Sequence, residues 1–288
     1  MRKNNEDINN FQNLEIHDND FENFESEDYA HGNYDELPPR KRKHTKLIFR
    51  IVLICIIVIL VNVVIMFATG KLWFNQPKKS DYPIRGAFVD AELGTIDWKK
   101  FSGQNIKAVY IKATEGTSYK DKTFDYNWKH SAETTIYSGA YHVLNPAKSG
   151  KEQAEYFCKT IGDISGRLIP AVEVKLSGIY SVFAPSKETA DKNLKEFLDY
   201  VYNQYGVNSV IICNSRTYKK YVDSEFSDDY SVCYESFYKK PSDNVKCDFW
   251  SFSPRNRFGG YENKKEYVTQ FVYNSYITDE EFKKNFVC

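Results

Sequence analysis

The sequence predicts an α/β domain folded as a (β/α) barrel, and three observations indicate this fold and its setting. Strand-like and helical stretches alternate from residue 84 to residue 288. An apolar stretch long enough for a bilayer precedes this region. A charged segment precedes the apolar stretch in turn. We therefore expect a tail, a single membrane span, a short linker and one large domain.

The alternation of strands and helices is the observation that predicts the barrel. Helical stretches at residues 149–161 and 187–205 separate several of the strand-like runs. Strands that alternate with helices predict a parallel sheet, and eight strands over roughly 200 residues fit a (β/α) barrel. We expect one barrel domain over residues 84–288. Its strand-like runs are residues 86–90, 108–113, 138–143, 169–175, 209–214, 231–236, 248–252 and 267–272.

The apolar stretch predicts a transmembrane helix. Residues 51–68 are apolar apart from Asn62, and the flanking apolar residues extend the run to the ~20 that a bilayer needs. A cleaved signal peptide has a shorter apolar core of ~7–15 residues and a small-x-small exit. We therefore expect a signal anchor over residues 47–70, with Trp73 at the far membrane interface and a linker over residues 71–83.

Charge is distributed unevenly before this helix. Residues 1–37 hold eleven acidic side chains against two basic ones, and residues 40–50 hold six basic side chains and no acidic one. The acidic segment is too polar to fold alone, so residues 1–46 are expected to form a disordered cytoplasmic tail with a basic juxtamembrane cluster. The positive-inside rule then predicts a single-pass protein of the cell membrane, with its C-terminal domain extracytoplasmic. The remaining residues are nearly balanced in charge, which argues against a nucleic-acid partner.

Four stretches in the predicted domain carry a family resemblance. They lie at residues 85–98, 111–119, 139–157 and 249–252, and the second contains the run Ile-Lys-Ala-Thr-Glu-Gly. In content, order and spacing they resemble the family 25 glycoside hydrolases, the lysozymes that cut peptidoglycan. The resemblance extends from about Arg85 to Phe286. It implies a (β/α) TIM-like barrel of the family 25 lysozyme type that acts on peptidoglycan at the cell envelope.

The acids of the family have been substituted in this sequence. The resemblance implies an aspartate in the first strand, an Asp-x-Glu pair in the middle strand and an aspartate in the last. These positions fall on Phe88, on Glu173 and Lys175, and on Thr269. Glycosidases of this type need one carboxylic acid to protonate the leaving oxygen and a second carboxylate beside the oxocarbenium-like centre. We therefore expect muramidase activity to be negligible.

The middle strand predicts the local electrostatics. Side chains two residues apart on a strand point to the same face, so Glu173 and Lys175 should share the barrel mouth. A nearby ammonium lowers the pKa of a carboxyl, whereas a general acid needs a raised pKa. We therefore expect no carboxyl of raised pKa at the mouth.

Other residues remain candidates for the site. Asp90 has the strand parity of Phe88 and is a possible replacement acid. The catalytic candidates are Glu173, Asp90 and Glu115. The substrate-binding candidates are Tyr141, His142, Trp250 and Glu92.

The sequence leaves three functions open. The first is a lysozyme-like pseudo-enzyme that binds a glycan or a protein partner. The second is an active peptidoglycan hydrolase, a muramidase, that uses displaced carboxylates. The third is a structural component of an envelope complex without sugar affinity. No cofactor and no metal are expected, and no Cys-x-x-Cys spacing is present. The expected partners are peptidoglycan or another envelope glycan, the membrane and an envelope protein.

Overall fold

The computed structural model describes residues 43–70, 72–73 and 75–288, so most of the predicted acidic tail lies outside the described residues. Helix α1 spans Lys43–Ala68. Within the described part of the chain it is the one helix long and apolar enough to cross a membrane, judged by length and composition alone. Most of its apolar side chains are exposed.

Eight strands close into a barrel, and the short additional strand β3 (Tyr119–Lys120) forms a hairpin with β2 (Ala108–Glu115). All eight coincide with the strand-like runs of the sequence to within a few residues. The strands are β1 (Arg85–Val89), β2 (Ala108–Glu115), β3 (Tyr119–Lys120), β4 (Tyr137–Leu144), β5 (Ala171–Val174), β6 (Val210–Asn214), β7 (Val232–Glu235), β8 (Phe249–Asn256) and β9 (Val268–Tyr273).

The barrel differs from the predicted parallel sheet in its last strand. The order around the barrel is β1-β2-β4-β5-β6-β7-β8-β9, and pairing of β9 with β1 closes it. Strand β9 runs antiparallel to both β8 and β1, while the other neighbouring pairs are parallel. The direction is reversed because β8 and β9 are joined without a crossover helix.

Helices cover the outside of the barrel. Ser149 and Ser186 cap the two longest of them, each accepting a hydrogen bond from a backbone N–H three residues on. Gly206 ends the second helix in the left-handed conformation, with φ of 71°. After α1 the helices are α2 (Trp98–Ser102), α3 (Phe124–Ser131), α4 (Gly150–Ile161), α5 (Lys187–Tyr205), α6 (Ser215–Thr217), α7 (Asp223–Phe226) and α8 (Asp279–Phe286), with a 3₁₀ turn at Gly178–Ser181 and a π turn at Tyr218–Val222.

The inside of the barrel has a closed end and an open end. Aromatic side chains from alternate strand positions fill the inside of the barrel, among them Tyr110 and Phe271. Phe282 and Phe286 of α8 pack against the same cluster at the amino ends of the parallel strands. The closed end is therefore sealed by apolar side chains, and the opposite end is the mouth.

Trp73 packs against the barrel domain. Its indole is buried, and its N–H donates to the backbone oxygens of Phe237 and Phe252 at 2.8 and 3.0 Å. The sequence alone does not predict these contacts with β8 and with the loop that follows β7. The backbone around residue 77 also contacts the domain, since Arg85 donates to the oxygen of Pro77.

Candidate functional site

The mouth of the barrel contains a cavity of about 210 Å³. Strand ends from around the barrel supply its walls, so side chains that are far apart in sequence meet there. This is the position at which parallel α/β barrels carry their sites. The lining residues are Phe88, Asp90, Glu92, Leu93, Tyr141, Glu173, Lys175, Ile212, Glu235, Tyr267 and Thr269.

Strand β5 delivers a carboxylate and an ammonium to this cavity. Glu173 and Lys175 are two residues apart and face the same side, as the strand period requires. The Lys175 Nζ lies 3.6 Å from Glu173 Oε1. The lysine side chain is 56% exposed and the glutamate side chain only 14%. The pair is thus held at the boundary between the barrel interior and solvent.

The pKa of Glu173 shifts in the direction opposite to the sequence prediction. Burial raises the pKa of the Glu173 carboxyl, and the Lys175 and Lys112 ammonium groups offset only part of that rise. The expectation that Lys175 dominates is wrong, because removing a carboxylate from water costs more than one ammonium restores. The Glu173 carboxylate in turn raises the pKa of Lys175, so this lysine is a cation at neutral pH.

Glu235 is a carboxylate of the mouth that the sequence reasoning missed. It is the last residue of β7, and its register partner on β6 is Asn214, one level above the Val174–Cys213 pair. Glu235 therefore lies level with Lys175, two strands away. Burial, followed by repulsion from the Glu173 carboxylate, raises the pKa of Glu235 to about 7, with Lys175 acting in the opposite direction. Glu235 is two residues after Cys233, whose side chain faces the inside of the barrel. This spacing is the sequence signal that could have identified Glu235 as a residue of the mouth.

Asp90 and Glu92 reach the same cavity from the loop after β1. Asp90 Oδ1 accepts a hydrogen bond from the Glu92 backbone N–H at 3.0 Å. Burial raises the pKa of Asp90, with repulsion from Glu92 and Asp121 adding to it, although the Glu92 hydrogen bond acts against the rise. Together with Glu173 and Glu235, Asp90 contradicts the expectation that no carboxyl of raised pKa stands at the mouth.

Glu115 lies outside this cavity. Its carboxylate accepts from Lys112 Nζ at 2.6 Å. It lines a neighbouring depression that Lys175 also reaches, together with Tyr119 and Tyr180. Its charge is therefore already matched within β2.

His142 and Trp250 are buried and do not line the cavity. The Nδ1 of His142 lies 2.7 Å from Thr114 Oγ1, and its Nε2 lies 3.2 Å from Gln153 Oε1. Burial lowers the pKa of His142 to about 3, so the ring is neutral. The Trp250 indole donates to the Ser236 oxygen at 2.9 Å on the outer face of β8. Both rings hold neighbouring segments in place.

Tyr141 and Phe88 form the aromatic floor of the cavity. Their ring centroids are 5.8 Å apart in an edge-on arrangement, and Phe88 also stacks against Tyr110 and packs on Phe271. An acid at position 88 would be surrounded by these rings. Phe88 is therefore part of the aromatic cluster inside the barrel.

Residues 90–261 match the model of the family described as glycosyl hydrolases family 25. The chain belongs to this family. The described residues contain no group of three or more His, Cys, Asp or Glu side chains placed to hold a metal ion.

Individual relatives of this family 25 chain agree with the assignment. Uncharacterized protein YegX of Escherichia coli is 28% identical over 188 residues, which are 63% of this chain and 67% of the relative. Lysozyme M1 of Streptomyces globisporus is 39% identical over 92 residues, 31% of each chain. The structure of a family 25 glycosyl hydrolase from Bacillus anthracis superposes with a TM-score of 0.67 at 28% identity, covering 73% of this chain and 96% of that one.

The resemblance assigns four positions of this family 25 barrel to the family's acids, and all four line the one cavity. Phe88, Glu173, Lys175 and Thr269 come from β1, β5 and β9. The structure therefore places the four positions in one cavity, together with Asp90 and Glu235.

Proposed function

We propose that this chain is a membrane-anchored family 25 domain that binds a peptidoglycan glycan at the cell envelope without cleaving it as a lysozyme does. Family membership and the lysozymes among its relatives support peptidoglycan as the target. The observation that carries the loss of hydrolysis is the Lys175 ammonium, held 3.6 Å from Glu173 inside the mouth. By the resemblance, this lysine stands where the family keeps its glutamate.

The chemistry of glycoside cleavage explains why this substitution matters. A positioned acid contributes ~100- to 10,000-fold to the rate by protonating the leaving oxygen. An ammonium with a raised pKa is a poor proton donor at neutral pH, and its charge repels an oxocarbenium-like centre. Phe88 and Thr269 supply no carboxylate in compensation. Binding of a sugar against the aromatic floor needs none of these acids.

A second candidate, hydrolysis by displaced carboxylates, is favoured by Glu235. A carboxyl with a pKa of about 7 is half protonated at neutral pH, which suits a general acid. Glu173 and Asp90 line the same cavity, and either would serve as the second carboxylate beside Glu235. This candidate needs the sugar to bind with its leaving oxygen toward β7 rather than β5.

Release of muropeptides separates these functions. Detergent-solubilised full-length chain is incubated with purified cell walls, and both bound protein and soluble muropeptides are measured. We expect retention on the walls without release. Release that Glu235→Gln abolishes and Glu280→Gln spares would favour the displaced-acid hydrolase. Absence of both retention and release would leave the structural, sugar-independent role.

Introducing carboxylates at the positions that the resemblance assigns to the family's acids is a second test of the same proposal. Lys175→Glu alone is expected to restore little release, because such groups act as a unit. Phe88→Asp with Lys175→Glu is the informative pair, and Thr269→Asp is the third change to add. Release by the triple variant, absent from wild type, would tie the loss of hydrolysis to these positions.

The anchoring and topology belong to the same proposal. We propose that residues 47–70 span the membrane, that residues 1–46 are cytoplasmic and that residues 84–288 form the exported barrel domain after a linker. The support is the length and composition of α1 and the basic residues before it. Protease added to intact cells should degrade the barrel and spare the tail, and the reverse pattern would overturn this topology.

A further inference from the structure

The mouth carries more negative charge than its own cations match. Glu173 is paired with Lys175, and Glu115 with Lys112. Among the described residues, no lysine or arginine nitrogen lies within 4.0 Å of the Asp90 or Glu235 carboxylate. Glu235 also has no hydrogen-bond partner for its carboxylate in that part of the chain, although it is mostly buried and lines the cavity.

The negative charges of these carboxylates also affect the pKa of Tyr141, a neutral group that lines the same cavity. Burial raises the pKa of the Tyr141 hydroxyl, and the negative charges of Glu173, Asp90, Asp121 and Glu235 all add to that rise. The hydroxyl therefore lies in the combined field of four acids. A concave, poorly solvated site concentrates such a field, so a positive ligand group would be attracted and a negative one repelled.

Aromatic faces complete the chemistry. Phe88 and Tyr141 line the cavity beside the carboxylates. Tyr267 also lines it, but Arg255 and Arg257 already lie over its ring, at 4.7 and 4.3 Å from the centroid. A cation over an aromatic face gains about 0.5–2 kcal/mol, more when it is desolvated. A neutral N-acetyl group gains no charge interaction from these carboxylates, and a lactyl carboxylate is repelled by them. The combination of aromatic rings and unmatched carboxylates suits an organic ammonium.

We propose that the mouth recognises a primary ammonium group of the envelope glycan, with Glu235 as its principal partner. Two sources carry this chemistry: an N-deacetylated amino sugar, and the side chain of a diamino acid in the attached peptide. The inference rests on the proposed glycan-binding function and specifies which ligands that function selects.

Ionisation of Glu235 makes recognition depend on pH. With its pKa near 7, this carboxyl is mostly neutral at pH 5.5 and mostly charged at pH 8. A ligand whose ammonium stays charged through pH 8 should therefore bind more tightly as pH rises. The other titratable or charged groups around Glu235 are Glu173, Lys175, Asp90, Glu92, Tyr141 and the buried thiols Cys213 and Cys233. Comparing wild type with Glu235→Gln at each pH isolates the contribution of Glu235 from theirs.

Calorimetric titration of the full-length chain in detergent tests this recognition. The probes are a glucosamine tetramer, the matching N-acetylglucosamine tetramer, and lysine blocked at its backbone amine and carboxyl. We expect the glucosamine tetramer to bind at pH 7 at least about tenfold more tightly than the acetylated one, the equivalent of one pKa unit in a charge interaction. Glu235→Gln should remove this preference, while Glu280→Gln, the same charge change at the closed end, should keep it.

The blocked lysine serves two purposes. Its ammonium stays charged through pH 8, so the part of its pH-dependent binding that Glu235→Gln removes reports the charge of Glu235. Binding that rises about tenfold over this range and disappears in Glu235→Gln identifies a peptide side chain as a sufficient ligand. Preference for the glucosamine tetramer without binding of lysine identifies the amino sugar.

Two outcomes overturn the inference, and they are distinguishable. Equal binding of both tetramers by wild type removes the ammonium preference and leaves the glycan-binding function standing. Failure of every probe to bind wild type removes the preference and counts against glycan binding as well. Because the comparison of tetramers uses the wild-type chain, neither outcome depends on the stability of a variant.

Discussion

The two ends of the barrel are built from the same strands and differ in how their polar groups are satisfied. At the closed end, Phe282 and Phe286 fill the opening with rings, and the exposed Asp279 meets both Lys107 and the Tyr137 hydroxyl. At the mouth, no lysine or arginine nitrogen of the described residues lies within 4.0 Å of the Asp90 or Glu235 carboxylate, although both line the cavity. The polar groups of the closed end are paired with each other, whereas the carboxylates of the mouth repel one another. Such repulsion is the expected mark of a surface kept for a ligand.

The largest expected effect is at the closed end. Phe282→Ala removes a fully buried ring that contacts Tyr137, Phe249, Tyr273 and Phe286. We expect a loss of about 3–5 kcal/mol in the free energy of unfolding, measured with denaturant. Phe183→Ala, at a side chain 72% exposed, is the matched control and should change it by less than about 0.5 kcal/mol. Equal losses would show that the aromatic plug does not seal the barrel.

At the mouth, Glu235→Gln should stabilise the protein in a pH-dependent way. Folding raises the pKa of this carboxyl from 4.5 to about 7, so its contribution is fully favourable below pH 4.5 and is lost as pH rises through 7. The wild type should therefore lose about 3 kcal/mol between pH 4.5 and pH 8 that the glutamine variant keeps.

Denaturant unfolding of both proteins at the two pH values measures this difference. Subtracting one protein from the other cancels the other titrating groups. Glu280→Gln at the closed end should show no such pH dependence. A difference between wild type and Glu235→Gln that is the same at both pH values would contradict the raised pKa.

A smaller effect is expected from Lys175, whose ammonium lines the cavity. Lys175→Gln removes a charge that lowers the pKa of both Glu173 and Glu235. Both pKa values should rise by about one unit, as for loss of a nearby opposite charge. Carboxyl ¹³C chemical shifts followed through a pH titration report each of them. Lys192→Gln, in an exposed pair with Glu196, is the control and should leave both unchanged.

The smallest effect is expected from the charges of the closed end. Asp279→Asn weakens a pair with Lys107 whose two side chains are 46% and 54% exposed. Exposed ion pairs contribute at most about 1 kcal/mol, and salt screens them. We expect a change in the free energy of unfolding within that limit, decreasing further in 1 M NaCl. A larger loss would mean that the hydrogen bond from Tyr137 holds α8 in place.

The sequence alone was sufficient for the elements and for the family. The strand-like runs located all eight barrel strands to within a few residues, and the helical stretches at residues 149–161 and 187–205 located α4 and α5. These features are local, because the pattern of apolar residues that predicts a strand or a helix lies within the element itself. The motifs that carry the family resemblance are likewise contiguous.

Tertiary structure alone decided the direction of β9, the position of Trp73 and the electrostatics of the mouth. Parallel and antiparallel strands share the same side-chain period, so an apolar pattern does not reveal which way β9 runs. The pKa of Glu173 depends on how much of the barrel excludes water from it, a quantity summed over several strands. Glu235 lies 60 residues beyond Lys175 in the chain, and only closure of the barrel brings the two into one cavity. Local patterns report which face a residue occupies, while burial and neighbours across the barrel determine its charge.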